Sequence, residues 1–220
     1  MNFAGELPIR VLGIFPTPPG LLPLAWIEEV GELSELFGVD LEILTGKAAN
    51  VNRITQYLRT TRVHTVIWSG HGQAGGLLDS DGNFLSAQAL AAQLRPAAPY
   101  CAIIAACYSG GRDDYLQSIT EEISLAGIHA VGYPARVTDR IALLYNREFL
   151  RGLVSGANFA AANHMALQAL RQISADLPAV ITVPAMVDGL HMILNRLDSH
   201  GQRLTAIEQT LAAINLKLSI

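Results

Sequence analysis

The sequence predicts an α/β fold: a mostly parallel sheet with helices on both faces. Three observations lead there. Short apolar runs alternate with segments of helical period over residues 1–187. The runs are almost continuously apolar, as strands buried on both faces are. The stretches between most of them are long enough for the crossover helix that parallel neighbours require.

Residues 9–15 ("IRVLGIF") read as the first buried strand. A Pro/Gly-rich loop follows, and then a helix over about 23–37. Residues 39–44 are a second strand, after which Val51, Ile54 and Leu58 share one helical face. Residues 63–68 ("VHTVIW") form a third strand that ends in "SGHG". "DSDG", set between apolar residues in 77–85, predicts a small hairpin. Ser86 caps a helix running to residue 94. The fourth strand, 100–106, leads into "CYSGG", and a helix through "DYLQSITEEISLAG" leads to a fifth strand at 128–133. Ile141, Leu144, Tyr145, Phe149 and Leu153 mark one later helix; Phe159, Ala162, Ala166, Leu170 and Ile173 mark another. Residues 179–183 ("AVITV") read as the last strand.

The division expected is a domain of residues 1–187 and a helical extension of residues 188–220. In the extension, apolar residues from Leu190 to Leu218 recur in steps of three and four, a heptad seam interrupted at His200 and Gly201. Two readings stand: an amphipathic helix lying on its own domain, or a coiled coil that binds a second copy or a partner protein.

Composition excludes several classes. Half of the residues are hydrophobic, 15% are charged and the net charge is −4, with no basic cluster to meet a nucleic acid. No apolar run approaches the ~18 residues of a membrane span. The first residues lack a basic leader, and prolines break their apolar run, so a cytoplasmic location is expected. Cys101 and Cys107 on one strand would stand roughly 20 Å apart. A disulfide needs alpha carbons within about 7 Å, so the two cannot pair with each other. No cysteine pair has the spacing of a zinc site.

In an open parallel sheet, function collects where strands end at their carboxyl side. Two such ends carry reactive side chains, His71 after strand three and Cys107 after strand four. Adjacent strands lie ~4.8 Å apart, so the two groups could face one another across a cleft. A thiol and an imidazole so placed fit a nucleophile and its base. Gly70 and Gly72 would let the backbone turn around His71. The amides of Gly72 and Cys107 could serve an oxyanion hole. Gly110 and Gly111 would keep the approach open before a helix whose amino end favours a thiolate. Cys101, at the far end of its strand, reads as core. His64, at the start of its strand, reads as structural. A triad built on Ser109 lacks the nucleophile-elbow motif.

"VHTVIWSGHG", followed some 35 residues later by "AIIAACYSGG", resembles the caspase-like cysteine peptidases of clan CD. The similarity is greatest to the bacterial CHAT branch, in which a "DG" hairpin and a helix lie between the two motifs, as in "LLDSDGNFLSAQALAAQL". "AVGYPARVTDRIALLYNREF" and the alanine-rich "GANFAAANHMALQAL" extend the resemblance over residues 7–187. It implies a caspase–haemoglobinase three-layer sandwich and endopeptidase chemistry on a protein or peptide substrate, without metal or cofactor. His71 maps to the family's base, Cys107 to its nucleophile and Gly72 to the oxyanion-hole glycine. Asp139 matches an aspartate that lines the specificity pocket, or else caps its helix. Asp79, Asp81 and Arg136 are further substrate-binding candidates. Metacaspases carry an acid just before the cysteine; Ala105 and Ala106 stand there, so that position supports no basic preference. The short form implies regulation by a partner or by assembly through 188–220, and family company implies a role in antiviral defence or programmed death. The competing expectations are a non-catalytic adaptor assembling through its coiled coil, and a thiol hydrolase acting on an ester or small amide.

Overall fold

The structure, a computed structural model, describes residues 7–22, 24, 26–73, 75–111, 118–173 and 180–183. The heptad segment lies outside the described residues. Nine strands and six α-helices are described: β1 Ile9–Phe15, α1 Trp26–Ser34, β2 Val39–Thr45, α2 Val51–Thr60, β3 Thr65–Ser69, β4 Gly72–Gln73, β5 Gly76–Leu78, β6 Phe84–Ser86, α3 Ala87–Leu94, β7 Cys101–Ala105, α4 Ile119–Leu125, β8 His129–Gly132, α5 Asp139–Val154, α6 Phe159–Ile173 and β9 Ile181–Val183. The main sheet runs β2-β1-β3-β7-β8-β9. Its first five strands are parallel, and β9 adds to β8 antiparallel.

Strand periodicity builds the three layers. Successive side chains of a strand point to opposite faces. Along β7, Ala102 and Ile104 pack with Ile54, Leu58, Leu90 and Ile123 of α2, α3 and α4. Cys101 and Ile103 pack on the other face with Leu33, Tyr145, Phe149 and Ala166 of α1, α5 and α6. A central strand between two helical layers is therefore covered at every position, and β3 and β7 are buried throughout, apolar but for Thr65 and Ser69.

The helix ends are set by their caps. Asn50 accepts from the Arg53 amide at the start of α2, and Ser86 from the Ala89 amide at the start of α3. Ser118 and Glu121 form a reciprocal capping box on α4. That cap accounts for a helix described from Ile119, where the sequence suggests one through 114–127; residues 112–117 lie outside the description. Helix α1 is shorter than its expected reach to residue 37, because the chain turns at Gly38 with φ +81° to enter β2. The expected hairpin is part of a three-stranded antiparallel sheet, β4-β5-β6. A two-residue β4 was illegible in the sequence because Gly72-Gln73 has neither apolar alternation nor β-branched residues. Among the described residues, no helix is long and apolar enough to cross a membrane.

Candidate active site

The ends of β3 and β7 fix the site. Their parallel register pairs Thr65 with Cys101 and continues to Ser69 with Ala105. His71 and Cys107 each stand two residues beyond that last rung. Both line one small cleft of about 70 Å³, with Gly72, Ala105, Val137 and Asp139 among its walls. The Gly70 amide closes the strand pair by donating to the Ala105 carbonyl at 3.3 Å.

His71 is oriented by a backbone group. Its Nε2 lies 2.9 Å from the Leu22 carbonyl oxygen. A carbonyl only accepts, so Nε2 carries the proton and Nδ1 keeps the basic lone pair. Leu22 belongs to the Pro/Gly-rich loop after β1, and sequence reasoning missed it because any residue type could supply that carbonyl. Cys107 is partly exposed; its Sγ lies 4.0 Å from the Val137 carbonyl, too far for a strong hydrogen bond.

The segment after Cys107 is fastened to the neighbouring strand. Tyr108 adopts φ +61°, a left-handed conformation costing a side chain about 1–2 kcal/mol. Ser109 is fully buried, donates to the Ile104 carbonyl at 2.8 Å and accepts from the Tyr133 amide at 3.0 Å. Gly110 donates to the Tyr133 carbonyl at 2.9 Å. Ser109 is thus a tie between the ends of β7 and β8. Gly110 is buried in the same tie, where the sequence suggested an open approach.

Gly72 is demanded by close approach. A Cβ there would stand 2.6 Å from the Cys107 carbonyl oxygen and 3.0 Å from the Ala106 Cβ. Gly72→Ala is expected to part the two strand ends and lower kcat/KM for peptide hydrolysis about 10²- to 10³-fold, the scale of one lost oxyanion-hole donor. Steady-state assays of the variant beside a thermal melt check this; unchanged kcat/KM would contradict it.

The other candidates are scattered. Asp139, the first residue of α5, is exposed and lines the cleft. Thr138 makes no side-chain cap there. Asp79 is fully buried. Its carboxylate accepts from the amides of Val51, Asp81 and Asn83 and from the Asn83 side chain. Those bonds join the hairpin turn to the start of α2, and Asp79 does not line the cleft. Asp81 is exposed in the same turn, Arg136 is exposed in the loop before α5, and neither lines the cleft. Cys101 is fully buried, its Sγ 3.4 Å from Thr65 Oγ1, and burial pushes its thiol up to about 12. His64 is a backbone brace whose Nδ1 accepts from the Arg10 amide at 2.9 Å. Among the described residues, no group of three or more His, Cys, Asp or Glu could hold a metal ion.

Behind the cleft lies a carboxyl that sequence reasoning also missed. Glu29 of α1 is buried and accepts from Asn146 Nδ2 at 2.6 Å. Burial pushes its carboxyl above the ordinary 4.5 and the charge of Asp139 adds to this, against hydrogen bonds from Asn146 and Ser69. The folded chain therefore holds this proton more tightly than the unfolded chain does. The resulting stability is complete below pH 4.5 and is lost as pH rises through the folded value. Glu29→Gln keeps an acceptor for Asn146 without the charge. It is expected to flatten that decline and raise the thermal midpoint at near-neutral pH. Parallel pH-dependent declines in both proteins would refute this.

A family model described as "CHAT domain" matches residues 19–209. No curated protein matches the chain. Among solved structures, the chain is similar to "Crystal structure of the Arg specific cysteine proteinase gingipain R (RGPB)". The TM-score is 0.59 at 12% identity, over 81% of this chain and 47% of that one. The chain thus spans about half the length of that proteinase, and at this identity the likeness is one of fold.

Proposed function

The chain belongs to the CHAT domain family, and on that premise we propose that it is a cysteine endopeptidase working through His71 and Cys107. One observation carries the reading: the two residues stand two positions beyond a paired rung of adjacent strands and line the same cleft.

The chemistry follows from the groups present. Nδ1 of His71 takes the thiol proton of Cys107, and the thiolate attacks the carbonyl carbon of the scissile peptide. The amides of Gly72 and Cys107 receive the charge that develops on the carbonyl oxygen. The imidazolium gives its proton to the departing amine as the C–N bond breaks, leaving a thioester. Water, deprotonated by His71, cleaves the thioester and returns the thiol. The Leu22 carbonyl holds the ring in the tautomer this cycle needs and stabilises the imidazolium.

A peptidyl acyloxymethylketone probe tests the reading. It is expected to alkylate Cys107, with labelling lost in His71→Ala. Absence of labelling, alone and with partner proteins added, would favour the non-catalytic adaptor. Assembly through residues 188–220 and a role in defence or programmed death belong to the same proposal. Deleting that segment is expected to lower the mass measured by light scattering, and an unchanged mass would reject assembly through it.

A further inference from the structure

Helix α2 has a second face that the core does not use. Ile54 and Leu58 are buried, whereas Arg53, Gln56, Tyr57 and Thr60 recur at the i, i+3, i+4 and i+7 spacing of one helical stripe. These four line a groove of about 420 Å³, together with Leu44 near the end of β2 and Lys47 in the 3-10 turn Gly46–Ala49. That volume lies within the ~300–1,000 Å³ of ligand-sized sites. Among the described residues, none lines both this groove and the cleft of His71 and Cys107.

The charge lining the groove is of one sign. Among the described residues, Lys47 and Arg53 line it and no carboxylate does. In a chain with 19 acidic and 15 basic residues, that is a selective placement. Both cations are exposed, and among the described residues neither makes an ion pair. Arg147 and Arg151, by contrast, are paired with Glu32 and Glu148.

Two neighbouring acids give the groove a direction. Glu42 accepts a hydrogen bond from the Tyr57 hydroxyl, and Asp40 acts on the same phenol through its charge. Arg53 stands one turn before Tyr57, and Lys47 precedes the helix. The phenol end is therefore the acidic end, and the end at Lys47 and Arg53 is the basic one. An anion fits the second, where a guanidinium offers a fork of donors and an ammonium a point charge. The Tyr57 ring and Leu44 add apolar surface in the same groove, on which a flat ring can lie. Gln56 adds an amide that both donates and accepts. Thr60 Oγ1 donates to the Gln56 and Tyr57 carbonyls at 3.1 and 3.2 Å and keeps lone pairs to accept.

We propose that this groove binds an organic phosphate of nucleotide size, its phosphate held between Lys47 and Arg53 and its ring laid against Tyr57 and Leu44. A phosphate calls for both charge and donors, and the two cations supply both. The place of the groove gives its occupancy a consequence. Where the 3-10 turn meets α2, the Ala49 carbonyl accepts from the Ser80 amide at 3.2 Å and the Val51 amide donates to Asp79 at 3.1 Å. Asp79 and Ser80 belong to the hairpin whose Leu78 amide donates to the His71 carbonyl. A ligand bridging Lys47 and Arg53 spans the same junction, and so braces the hairpin beside His71 from outside the cleft.

Calorimetric titration of the full chain tests it, with ADP, adenosine and inorganic phosphate as probes. ADP is expected to bind more tightly than adenosine and than inorganic phosphate by about 10-fold or more, because each of those lacks one half of the contacts. Lys47→Gln and Arg53→Gln are each expected to weaken ADP several-fold. Both side chains are exposed, so both variants keep the fold. Tyr57→Leu is expected to weaken ADP and to leave inorganic phosphate unchanged. Cys107→Ala is expected to bind ADP as wild type does, whether or not the chain hydrolyses peptides. ADP binding no tighter than adenosine, or unaffected by both charge variants, would overturn the proposal. So would inorganic phosphate as tight as ADP, which would show an anion site without a seat for a ring. A loss of ADP affinity in Cys107→Ala would place the nucleotide in the cleft and overturn it as well.

Discussion

Replacing Cys107 by alanine is expected to lower peptide hydrolysis at least about 10⁴-fold and to leave the fold intact. On the proposed mechanism Cys107 is the nucleophile, and its removal leaves only what binding and oxyanion stabilisation supply. The structural loss is small: Cys107 is partly exposed and its Sγ has only a 4.0 Å contact with the Val137 carbonyl. A stability change under about 1 kcal/mol follows. Cys101→Ala is the informative contrast. Its thiol is fully buried between β3 and the α5–α6 layer. Truncation there removes core volume and is expected to destabilise by about 1–2 kcal/mol, with kcat of the folded fraction near that of wild type. Active-site titration beside a chemical melt separates the two effects. Equal turnover by Cys107→Ala and wild type would end the account of this thiol as nucleophile.

The second large effect is expected at Asp79. Asp79→Ala removes four accepted hydrogen bonds, from Val51 N at 3.1 Å, Asp81 N at 2.9 Å, Asn83 N at 2.8 Å and Asn83 Nδ2 at 3.2 Å. An orphaned buried donor costs about 1–3 kcal/mol, and some of these amides can reach water in the opened turn. A loss of about 3–4 kcal/mol is expected, which in a domain of this size moves the thermal midpoint by about 10 °C. Activity should fall as well. The hairpin that Asp79 ties down starts at Gly72, and its Leu78 amide donates to the His71 carbonyl at 3.1 Å. Asp79→Asn keeps one oxygen but turns two donors toward donors, so an intermediate loss is expected. Thermal melts of the three proteins check the order; a midpoint unchanged in Asp79→Ala would show that the turn holds without its carboxylate.

Much of this architecture was legible in the residues. Every strand of the main sheet falls within two residues of the run expected for it, because central strands covered on both faces are mostly apolar and the edge strand β2 keeps apolar residues at alternate positions. The His71/Cys107 juxtaposition was legible for a related reason. Two consecutive buried strands joined by a helical crossover run parallel, and both then end at the same rim. Asp79 is the instructive contrast. In sequence it is an acid between the His71 and Cys107 motifs; in space it is a buried acceptor, since local hydrogen bonding in a tight turn consumes it.

What the sequence determined by itself was the layering and the common rim of the two strand ends that carry His71 and Cys107, because apolar period and crossover length act locally along the chain. Tertiary structure alone decided three things. It brought the Leu22 carbonyl to His71 Nε2, made Ser109 a tie between β7 and β8, and gathered Glu28, Glu29 and Asp139 around one cavity. Each depends on elements distant along the chain meeting at one place. A carbonyl, a serine or a carboxylate looks the same in sequence whether it faces water or a reacting thiol. The desolvation and proximity that set its task exist only once the layers have packed.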